Sequence, residues 1–340
     1  MDNTKSLEMI PPRVLLGSTG ISVSRAGFGV LPMGPAQLAL PVEEGAALIS
    51  YALDCGIQFF DTAQYYRTYP YLSRGLRGRD AVICSKSLAA DYEGMTAAID
   101  EARMALDRDV IDIFLMHEVR TGQLAQRAGA WEALLDARSR GWIRACGLST
   151  HHVNITAAAA QMEELDVVFP LLNYAGLGIR TCSGPNSDGR FFPGPTSERF
   201  ASAEEMMEAI RLCHQAGKGV FTMKAFGGGS LTATYRQALD YVFGQPEVDS
   251  VMIGFGRISE IDDLLSYLSG SMTPSYQPDV SRKRIHISQD DCEGCGACRA
   301  ACPAGAIFWN GSGLAEVDPD RCLTCGYCTP VCPVRAVILY

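Results

Sequence analysis

The sequence predicts an α/β protein: a (β/α)8 TIM barrel followed by a small C-terminal α+β domain. Its 340 residues, of which 47% are hydrophobic, are enough for a large core and for more than one domain. Eight short apolar runs alternate with helical patterns, and eight of the 13 cysteines fall within residues 292–332. The first pattern is typical of strand–helix units, and the second indicates a separate cysteine-rich domain.

Each apolar run is short and continuously hydrophobic, as expected of parallel strands that are buried on both faces. Eight strand–helix units in about 250 residues favour a closed barrel. The alternative is a doubly wound open sheet, but no early G-x-G-x-x-G follows a first strand. The predicted strands cover residues 25–30, 58–62, 81–86, 111–117, 143–149, 167–173, 219–224 and 250–254.

Charge and hydropathy exclude several classes of protein. The 38 acidic and 29 basic residues give a net charge of −9, which is the wrong sign for sequence-nonspecific binding to nucleic acid. No apolar run reaches the roughly 18 residues of a membrane-spanning helix, and the first residues lack the apolar stretch of a secretory signal. We therefore expect no nucleic-acid or membrane partner and a cytoplasmic location.

The stretch at residues 269–278 contains Pro and Ser and has the composition of a linker. It separates five scattered cysteines from the eight clustered ones. We therefore predict a barrel over residues 1–272, a linker over 273–283 and a small domain over 284–340.

The small domain contains one cysteine pattern twice, C-x2-C-x2-C-x3-C-P. Closely spaced thiols of this kind can wrap a [4Fe–4S] cubane, with the fourth Cys of each run ligating the other cluster. Structural zinc usually takes two well-separated pairs, and a disulfide scaffold needs an oxidising compartment. The runs are Cys292, Cys295, Cys298 and Cys302, then Cys322, Cys325, Cys328 and Cys332.

Residues 284–340 resemble the bacterial two-cluster ferredoxins, so we expect a ferredoxin-like domain with two [4Fe–4S] clusters. The fourth thiol of each run is then exchanged between the clusters. The ligand sets that the resemblance implies are Cys292, Cys295, Cys298 and Cys332 for one cluster, and Cys302, Cys322, Cys325 and Cys328 for the other.

Polar residues end five of the predicted barrel strands: Asp61, Lys86, His117, Ser149 and Asn173. Catalytic side chains in barrels project from the carboxyl ends of several strands. Ionisable groups at the ends of apolar strands are costly to bury unless they are paired. Because three such groups end consecutive strands, the sequence predicts an active site at this end of the barrel.

Residues 12–270 resemble the aldo-keto reductase family. Residues 16–29 are similar to its opening hairpin and first strand, and residues 56–66 are similar to its G-x3-[F/x]-D-T-A-x-x-Y signature. The resemblance implies an NAD(P)-linked oxidoreductase that acts on a small-molecule carbonyl. Carried over by position, the catalytic tetrad is Asp61, Tyr66, Lys86 and His117.

The chemistry of this tetrad is coherent. A carbonyl that accepts a hydride becomes an alkoxide and needs a proton. Free tyrosine has a pKa of about 10 and is a weak acid at neutral pH, so Lys86 is expected to lower the pKa of Tyr66. Asp61 would hold Lys86 charged and in place, and His117 would orient the substrate oxygen.

The nicotinamide contacts implied by the resemblance depart from the family pattern. Ser149 keeps the family's serine, whereas Thr150 stands for an asparagine and Phe169 for a glutamine. Met223 replaces the aromatic residue that stacks on the nicotinamide, and a sulfur atom can substitute on a ring face. Asn173, at the end of the sixth strand, completes the predicted contacts at this end of the cofactor.

The contacts with the cofactor phosphates also differ. Glu260 stands where many members carry an arginine for the adenosine 2′-phosphate, which favours NAD over NADP, although Arg257 nearby could still reach that phosphate. Lys224 is expected either to contact a phosphate or carboxylate or to form a structural ion pair. The glycines at 227–229 indicate either a phosphate site or a tight turn.

Residues 174–201 show no periodicity and contain several Gly and Pro residues. An unstructured segment of this length in a compact domain is usually a functional lid or a disordered excursion. Because it follows the sixth strand, we expect a lid over the chemical face of the barrel.

The clusters raise a question of electron number. NAD(P)H delivers two electrons as hydride, each cluster moves one, and no flavin motif joins the two. The first interpretation, which we favour, is a hydride-transferring reductase whose clusters serve a flavoprotein or ferredoxin partner or a separate step. The second is a cluster-fed reductase that uses the tetrad as an acid. The third is an electron-transfer or docking protein with a non-catalytic barrel.

Overall fold

The computed structural model describes residues 11–35, 37–183, 197–279, 284–302, 304–322, 324, 326–334 and 336–339. Its strands, in chain order, are β1 (Arg13–Leu15), β2 (Ser22–Ser24), β3 (Ala26–Gly29), β4 (Phe59–Asp61), β5 (Val82–Ser87), β6 (Ile111–Met116), β7 (Ile143–Thr150), β8 (Val167–Pro170), β9 (Arg180–Ser183), β10 (Ser197–Phe200), β11 (Gly219–Thr222), β12 (Ser250–Gly254), β13 (Ile285–Ile287), β14 (Ile307–Trp309), β15 (Ala315–Val317) and β16 (Val337–Leu339).

Eight of these strands form a closed parallel barrel in the order β11-β12-β3-β4-β5-β6-β7-β8, with β8 paired to β11. Each overlaps one of the eight predicted apolar runs, so the predicted barrel is confirmed. Because neighbouring strands run in the same direction, their carboxyl ends collect at one rim of the barrel. This rim, called the C-terminal rim below, receives the polar strand ends.

Helices pack around the barrel. The first follows Pro41, which has no N–H to leave unpaired, and ends just before Gly56, whose φ of 91° requires glycine. No described helix is long and apolar enough to cross a lipid bilayer. The helices are α1 (Val42–Asp54), α2 (Tyr69–Gly75), α3 (Tyr92–Leu106), α4 (Gln123–Gln126), α5 (Ala128–Ser139), α6 (Val153–Ala159), α7 (Ala203–Gln215), α8 (Tyr235–Phe243), α9 (Ile258–Leu268), α10 (Ala297–Ala300) and α11 (Cys328–Val331).

The hairpin of β1 and β2 closes the N-terminal end of the barrel. Leu16 and Ile21, in its turn, are fully buried and pack with the side chains that fill the barrel interior. Among those, Phe169 and Phe221 stack with ring centroids 4.2 Å apart. With one end plugged and the interior filled, the C-terminal rim is the end at which a substrate can bind.

Two strands lie within the segment that was predicted to lack structure. β9 and β10 pair antiparallel, with Arg180 opposite Phe200 and Thr181 opposite Arg199. The prediction of an unstructured segment over residues 174–201 is therefore wrong at these positions, because strands of four residues are too short for an alternating pattern to show. Residues 184–196, with the predicted chain breaks, lie outside the described residues.

The C-terminal part contains two small antiparallel sheets, β13 with β16 and β14 with β15. The two cysteine runs match at two described positions: φ is positive at Gly294 and Thr324 (66° and 49°) and at Gly296 and Gly326 (81° in both). Such a φ is uncommon for a residue other than glycine. At Thr324 and Gly326, the second run therefore has the backbone conformation of the first.

Gly147 offers a test of how tightly the barrel is packed. A Cβ at Gly147 would lie 1.9 Å from the carbonyl oxygen of Val167 on the paired strand, and backbone cannot yield as a side chain can. We expect Gly147→Ala to lower the free energy of unfolding by about 3 kcal/mol, measured by urea denaturation followed by far-UV circular dichroism.

Gly29 provides the matched control on another barrel strand. A Cβ at Gly29 would come no closer than 3.7 Å to its neighbours, an ordinary contact. Gly29→Ala should therefore change the free energy of unfolding by less than about 1 kcal/mol. Equal losses in the two variants would mean that the approach of β7 to β8 is looser than described.

Candidate active site and cysteine cluster

A buried ion pair lies at the C-terminal rim. Asp61 ends β4, and Lys86 lies on the neighbouring strand β5. The Lys86 ammonium donates to both Asp61 carboxylate oxygens at 2.6 and 2.8 Å and to the Thr62 carbonyl at 2.6 Å. Lys86 is 1% exposed and Asp61 5%, so water hardly screens the pair. All three ammonium hydrogens thus have acceptors.

Tyr66 and His117 meet beside this pair. A short 3-10 turn, Gln64–Tyr66, follows β4 and carries Tyr66, and His117 directly follows β6. The Tyr66 hydroxyl lies 3.3 Å from His117 Nε2, and Lys86 Nζ lies 4.8 Å from the centroid of the Tyr66 ring. The four residues predicted as a tetrad are therefore brought together at one end of the barrel.

Burial controls the protonation of these groups. Burial raises the pKa of Tyr66 to about 12, although the Lys86 charge acts in the opposite direction. The expected lowering of this pKa is therefore present but outweighed by desolvation. Burial and the Lys86 charge lower the pKa of His117 to about 3, so the imidazole is neutral. Burial opposes the charge on Lys86, but Asp61 outweighs it and raises the pKa of the ammonium.

His117 retains one unused polar atom. Its Nδ1 is buried and has no hydrogen-bond partner among the described residues. Buried polar atoms are nearly always paired, so this orphan indicates that a further molecule, a water or a ligand, completes the site.

A second charged group next to the tetrad was missed in the sequence. Glu118 follows His117, and its carboxylate lies 3.5 Å from His151 Nδ1 and 3.1 Å from the Arg120 guanidinium. Burial opposes its charge, but His151, Arg120 and Lys224 hold the pKa of Glu118 well below its usual range. The only sign of this group in the sequence is that an acidic residue, Glu118, directly follows the strand-end residue His117.

Three predicted cofactor contacts have backbone partners. The Ser149 hydroxyl accepts from the Glu118 N–H at 2.9 Å, and the Thr150 hydroxyl donates to the Val119 carbonyl at 2.7 Å. The Asn173 amide donates to the Leu177 carbonyl at 3.0 Å and accepts its N–H at 2.9 Å. These bonds shape the rim loops, and the cofactor roles of the three residues stay predictions.

The other three predicted contacts lie around strands β11 and β12. Met223 is half-buried at the end of β11 and packs against the barrel interior. Lys224 lies close enough for its charge to lower the pKa of His117. The Arg257 guanidinium pairs with Glu260 at 3.1 Å and with Asp279 at 3.3 Å. Arg257, the cation predicted to reach the 2′-phosphate, is thus already paired with two carboxylates.

The glycine turn after β11 lies against the C-terminal part. A Cβ at Gly228 would lie 3.4 Å from Thr329 Cγ2, and one at Gly229 would lie 2.5 Å from the Leu339 carbonyl oxygen. Barrels often bind phosphate in the loops after the seventh and eighth strands. Here the chain itself packs on the first of these loops.

One of the two predicted cysteine sets is grouped in the structure. The thiol of Cys298 is buried close to Cys332, Cys292 and Cys295, the set predicted for one cluster, and burial together with these neighbours raises the pKa of Cys298. Among the described residues, no three His, Cys, Asp or Glu side chains are arranged to hold a single metal ion. Cys325, a predicted ligand of the other cluster, lies outside the described residues.

Backbone donors point at three of the thiols. The Ala315 N–H lies 3.4 Å from the Cys292 sulfur. The Ala306 N–H lies 3.3 Å from the Cys302 sulfur, and the Thr324 N–H lies 3.4 Å from the Cys322 sulfur. Hydrogen bonds to sulfur are among the features that tune iron–sulfur clusters. The thiols and donors together fit a [4Fe–4S] cluster.

Two contacts hold the first cysteine run and Cys332 on the C-terminal rim. The Arg180 guanidinium donates to the Cys332 carbonyl at 3.1 Å, and the Tyr65 hydroxyl donates to the Asp291 carboxylate at 3.4 Å. Asp291 directly precedes Cys292, and Tyr65 directly precedes Tyr66. The small domain therefore lies at the same rim as the tetrad.

The buried ion pair can be tested by a double-mutant cycle. Lys86→Met leaves the Asp61 carboxylate unpaired, and Asp61→Asn leaves the ammonium without its counter-charge. We expect each single change to lower the free energy of unfolding by about 3–5 kcal/mol. The double variant should lose less than the sum of the two, as read by urea denaturation at neutral pH. Additive losses would show that the two side chains do not interact.

Comparisons with known proteins agree with this geometry. Residues 26–241 match the aldo/keto reductase family, and residues 285–339 match the 4Fe-4S dicluster domain. L-galactose dehydrogenase of Arabidopsis thaliana is 24% identical over 286 residues, 73% of this chain and 85% of that protein. The 2,5-diketo-D-gluconic acid reductase B of Corynebacterium is 32% identical over 114 residues, 32% of this chain and 41% of that protein.

Solved structures show the same fold. A putative aldo-keto reductase from Pseudomonas aeruginosa has a TM-score of 0.61 at 22% identity and covers 78% of this chain and 98% of its own. An aldo-keto reductase from Bacillus halodurans in its holo form has a TM-score of 0.59 at 16% identity and covers 78% of this chain and 92% of its own. Because the family match covers more than half of the chain, this protein is an oxidoreductase of the aldo/keto reductase family with a C-terminal 4Fe-4S dicluster domain.

Proposed function

We propose that this protein reduces the carbonyl group of a small molecule with hydride from NAD(P)H, with Tyr66 as the proton donor. The observation that supports this best is the contact of Tyr66 with His117 beside the buried Lys86–Asp61 pair. An acid, a neutral imidazole and a fixed cation then surround the point where negative charge develops on a carbonyl oxygen.

Bound NAD(P)H supplies a hydride, which is two electrons and one hydrogen nucleus. Tyr66 supplies the proton, and its raised pKa of about 12 keeps the phenol protonated until an alkoxide forms. An alkoxide is a stronger base than a phenolate, so the transfer remains favourable. Lys86 stabilises the phenolate that is left, and neutral His117 orients the carbonyl oxygen through Nε2.

The charges near Arg257 favour NADH over NADPH. The Arg257 guanidinium binds Glu260 and Asp279, so a 2′-phosphate would have to displace one carboxylate and would be repelled by the other. A ribose hydroxyl carries no charge and meets no such penalty. We therefore assign NADH as the preferred hydride donor and Met223 as the residue that faces its nicotinamide.

The substrate is proposed to be a polar, hydroxylated carbonyl compound such as a sugar or sugar acid. Two relatives are named for L-galactose and 2,5-diketo-D-gluconic acid. A cavity of about 250 Å³ next to Glu118 is lined mainly by polar residues, of types that can bind hydroxyls or a carboxylate. The polar lining side chains are Glu118, Arg120, Gln123, Gln126 and Arg127.

The eight predicted cysteine ligands are proposed to hold two [4Fe–4S] clusters that move single electrons. In this scheme the clusters exchange electrons with a flavoprotein or ferredoxin partner. The hydrogen bonds from backbone N–H groups to cysteine sulfur support the assignment.

A second candidate function is favoured by the covered glycine turn. Where Gly228 and Gly229 meet Thr329 and Leu339, the small domain occupies a position at which barrels often bind phosphate. If a dinucleotide does not bind there, the clusters are the electron source, and two electrons and two protons must reach each carbonyl. Tyr66 would then supply one of these protons.

Tyr66→Phe tests the proton donor. The change removes the only acidic hydrogen of the residue while keeping the ring, so we expect kcat to fall roughly 10²- to 10⁴-fold. The loss of unfolding free energy should be about 1 kcal/mol, since one hydrogen bond is lost. The assay is carbonyl-dependent NADH oxidation with a panel of aldehydes, ketones and sugar acids.

Tyr51→Phe is the matched control, because the Tyr51 hydroxyl bonds to Asp262 on the outer helices, away from the rim. It should leave kcat unchanged within about twofold. If Tyr66→Phe retained more than roughly a third of the parent kcat, Tyr66 would not be the acid.

The electron source is tested with the anaerobic full-length protein. With hydride transfer, we expect one NADH oxidised per carbonyl reduced and no loss of the visible cluster absorbance when NADH is added alone. Reduction of the carbonyl by dithionite-reduced protein without NADH would favour the second candidate function instead. The Tyr66→Phe variant is the control, since it should slow both routes.

A further inference from the structure

Arg180 places a buried positive charge beside one of the two cysteine sets. It begins β9 and is 7% exposed, and its guanidinium donates to the Cys332 carbonyl at 3.1 Å. The aromatic ring of Phe200, 4.7 Å from the guanidinium carbon, shields it from water. The charge is therefore held close to the predicted cluster of Cys292, Cys295, Cys298 and Cys332.

The same residue is tied to the tetrad side of the barrel. The backbone N–H of Arg180 donates to the backbone carbonyl of His151 at 3.0 Å. His151 contacts Glu118, which directly follows His117. Arg180 thus spans the distance between the tetrad loops and the loop of a predicted cluster ligand.

The buried Arg180 charge should affect this cluster more strongly than the exposed carboxylates near it. Asp290, Asp291 and Glu293 flank Cys292, but Asp290 and Asp291 are exposed, so water and salt screen their charges. The buried Arg180 charge is screened far less. Net charge near a cluster is one of the factors that set its reduction potential, so Arg180 should make this cluster easier to reduce.

We propose that Arg180 sets the reduction potential of the cluster held by Cys332, so that an electron in the small domain rests on the cluster next to the tetrad. Arg180 acts as a positioning residue: it fixes the cluster loop on the rim and stabilises the added negative charge. This inference rests on the iron–sulfur part of the proposed function and does not depend on the hydride donor.

The test is an EPR-monitored dithionite titration of the anaerobically purified full-length protein, with iron measured for each variant. Arg180→Gln removes the charge, so we expect the one-electron reduction of one cluster to become at least tenfold less favourable, a fall of 59 mV or more. The other cluster should change less than twofold. Arg180→Lys keeps the charge and should restore most of the potential.

Two further variants assign the signal and guard against misfolding. Asp291→Asn removes an exposed carboxylate next to Cys292. The midpoint potential at which the same EPR signal appears should therefore rise, the direction opposite to that expected for Arg180→Gln. Phe200→Ala removes an exposed ring, so the fold tolerates it. Because water then reaches the guanidinium, reduction of the same cluster should become at least twofold less favourable.

Arg321 is the matched control. Its guanidinium also donates to a backbone carbonyl, that of Ala304, at 3.2 Å, but the side chain is exposed. Arg321→Gln should change the one-electron reduction equilibrium constant of either cluster less than threefold. The proposal is wrong if Arg180→Gln and Phe200→Ala keep about eight irons per chain and leave the one-electron reduction equilibrium constants of both clusters within twofold of the parent values. If Arg180→Gln loses its iron, Phe200→Ala decides alone.

These outcomes are separate from those of the proposed function. The titration contains no carbonyl compound and no nicotinamide. A result with Tyr66→Phe that contradicts the proton donor would leave the potentials untouched, and unchanged potentials in the Arg180 variants would leave the tetrad assignment standing.

Discussion

The buried contact between Lys86 and Asp61 is the interaction on which the site depends. A lone charge at this depth would favour its neutral form, but each partner supplies the counter-charge that keeps the other ionised. Because β4 and β5 are neighbours in the parallel barrel, the pair forms where both strands end. The Tyr66 ring lies against the fixed cation that results, and His117 arrives from the next strand.

Burial keeps Tyr66 and His117 in their neutral forms over a wider pH range than their ordinary solution pKa values would. Tyr66 stays a phenol because desolvation outweighs the attraction of Lys86 for its phenolate. His117 stays neutral because burial and the same cation both oppose a second positive charge. In the proposed function, Tyr66 therefore releases its proton only when a strong base forms next to it, as happens when a carbonyl oxygen gains negative charge.

The sequence predicted the features that depend on local pattern. Eight apolar runs identified the barrel strands, and the resemblance to the family led to Asp61, Tyr66, Lys86 and His117, which the structure brings together at the rim. The backbone bonds of Thr150 and Asn173 were not predictable, because a polar side chain at a strand end looks the same whether it faces a ligand or a loop. The Arg180–Cys332 contact joins residues 152 apart in the chain, and no local pattern reports such a pairing.

The position of the small domain decides how the two kinds of electron chemistry can coexist. Its contacts at Tyr65, Arg180 and Gly229 all lie on the C-terminal rim, so the domain is placed beside the tetrad and against the glycine turn. In the proposed hydride route, a dinucleotide with its phosphates at that turn would need the Leu339 contact to open. The proposed single-electron route needs no such opening, so the two proposed routes make different demands on this one interface.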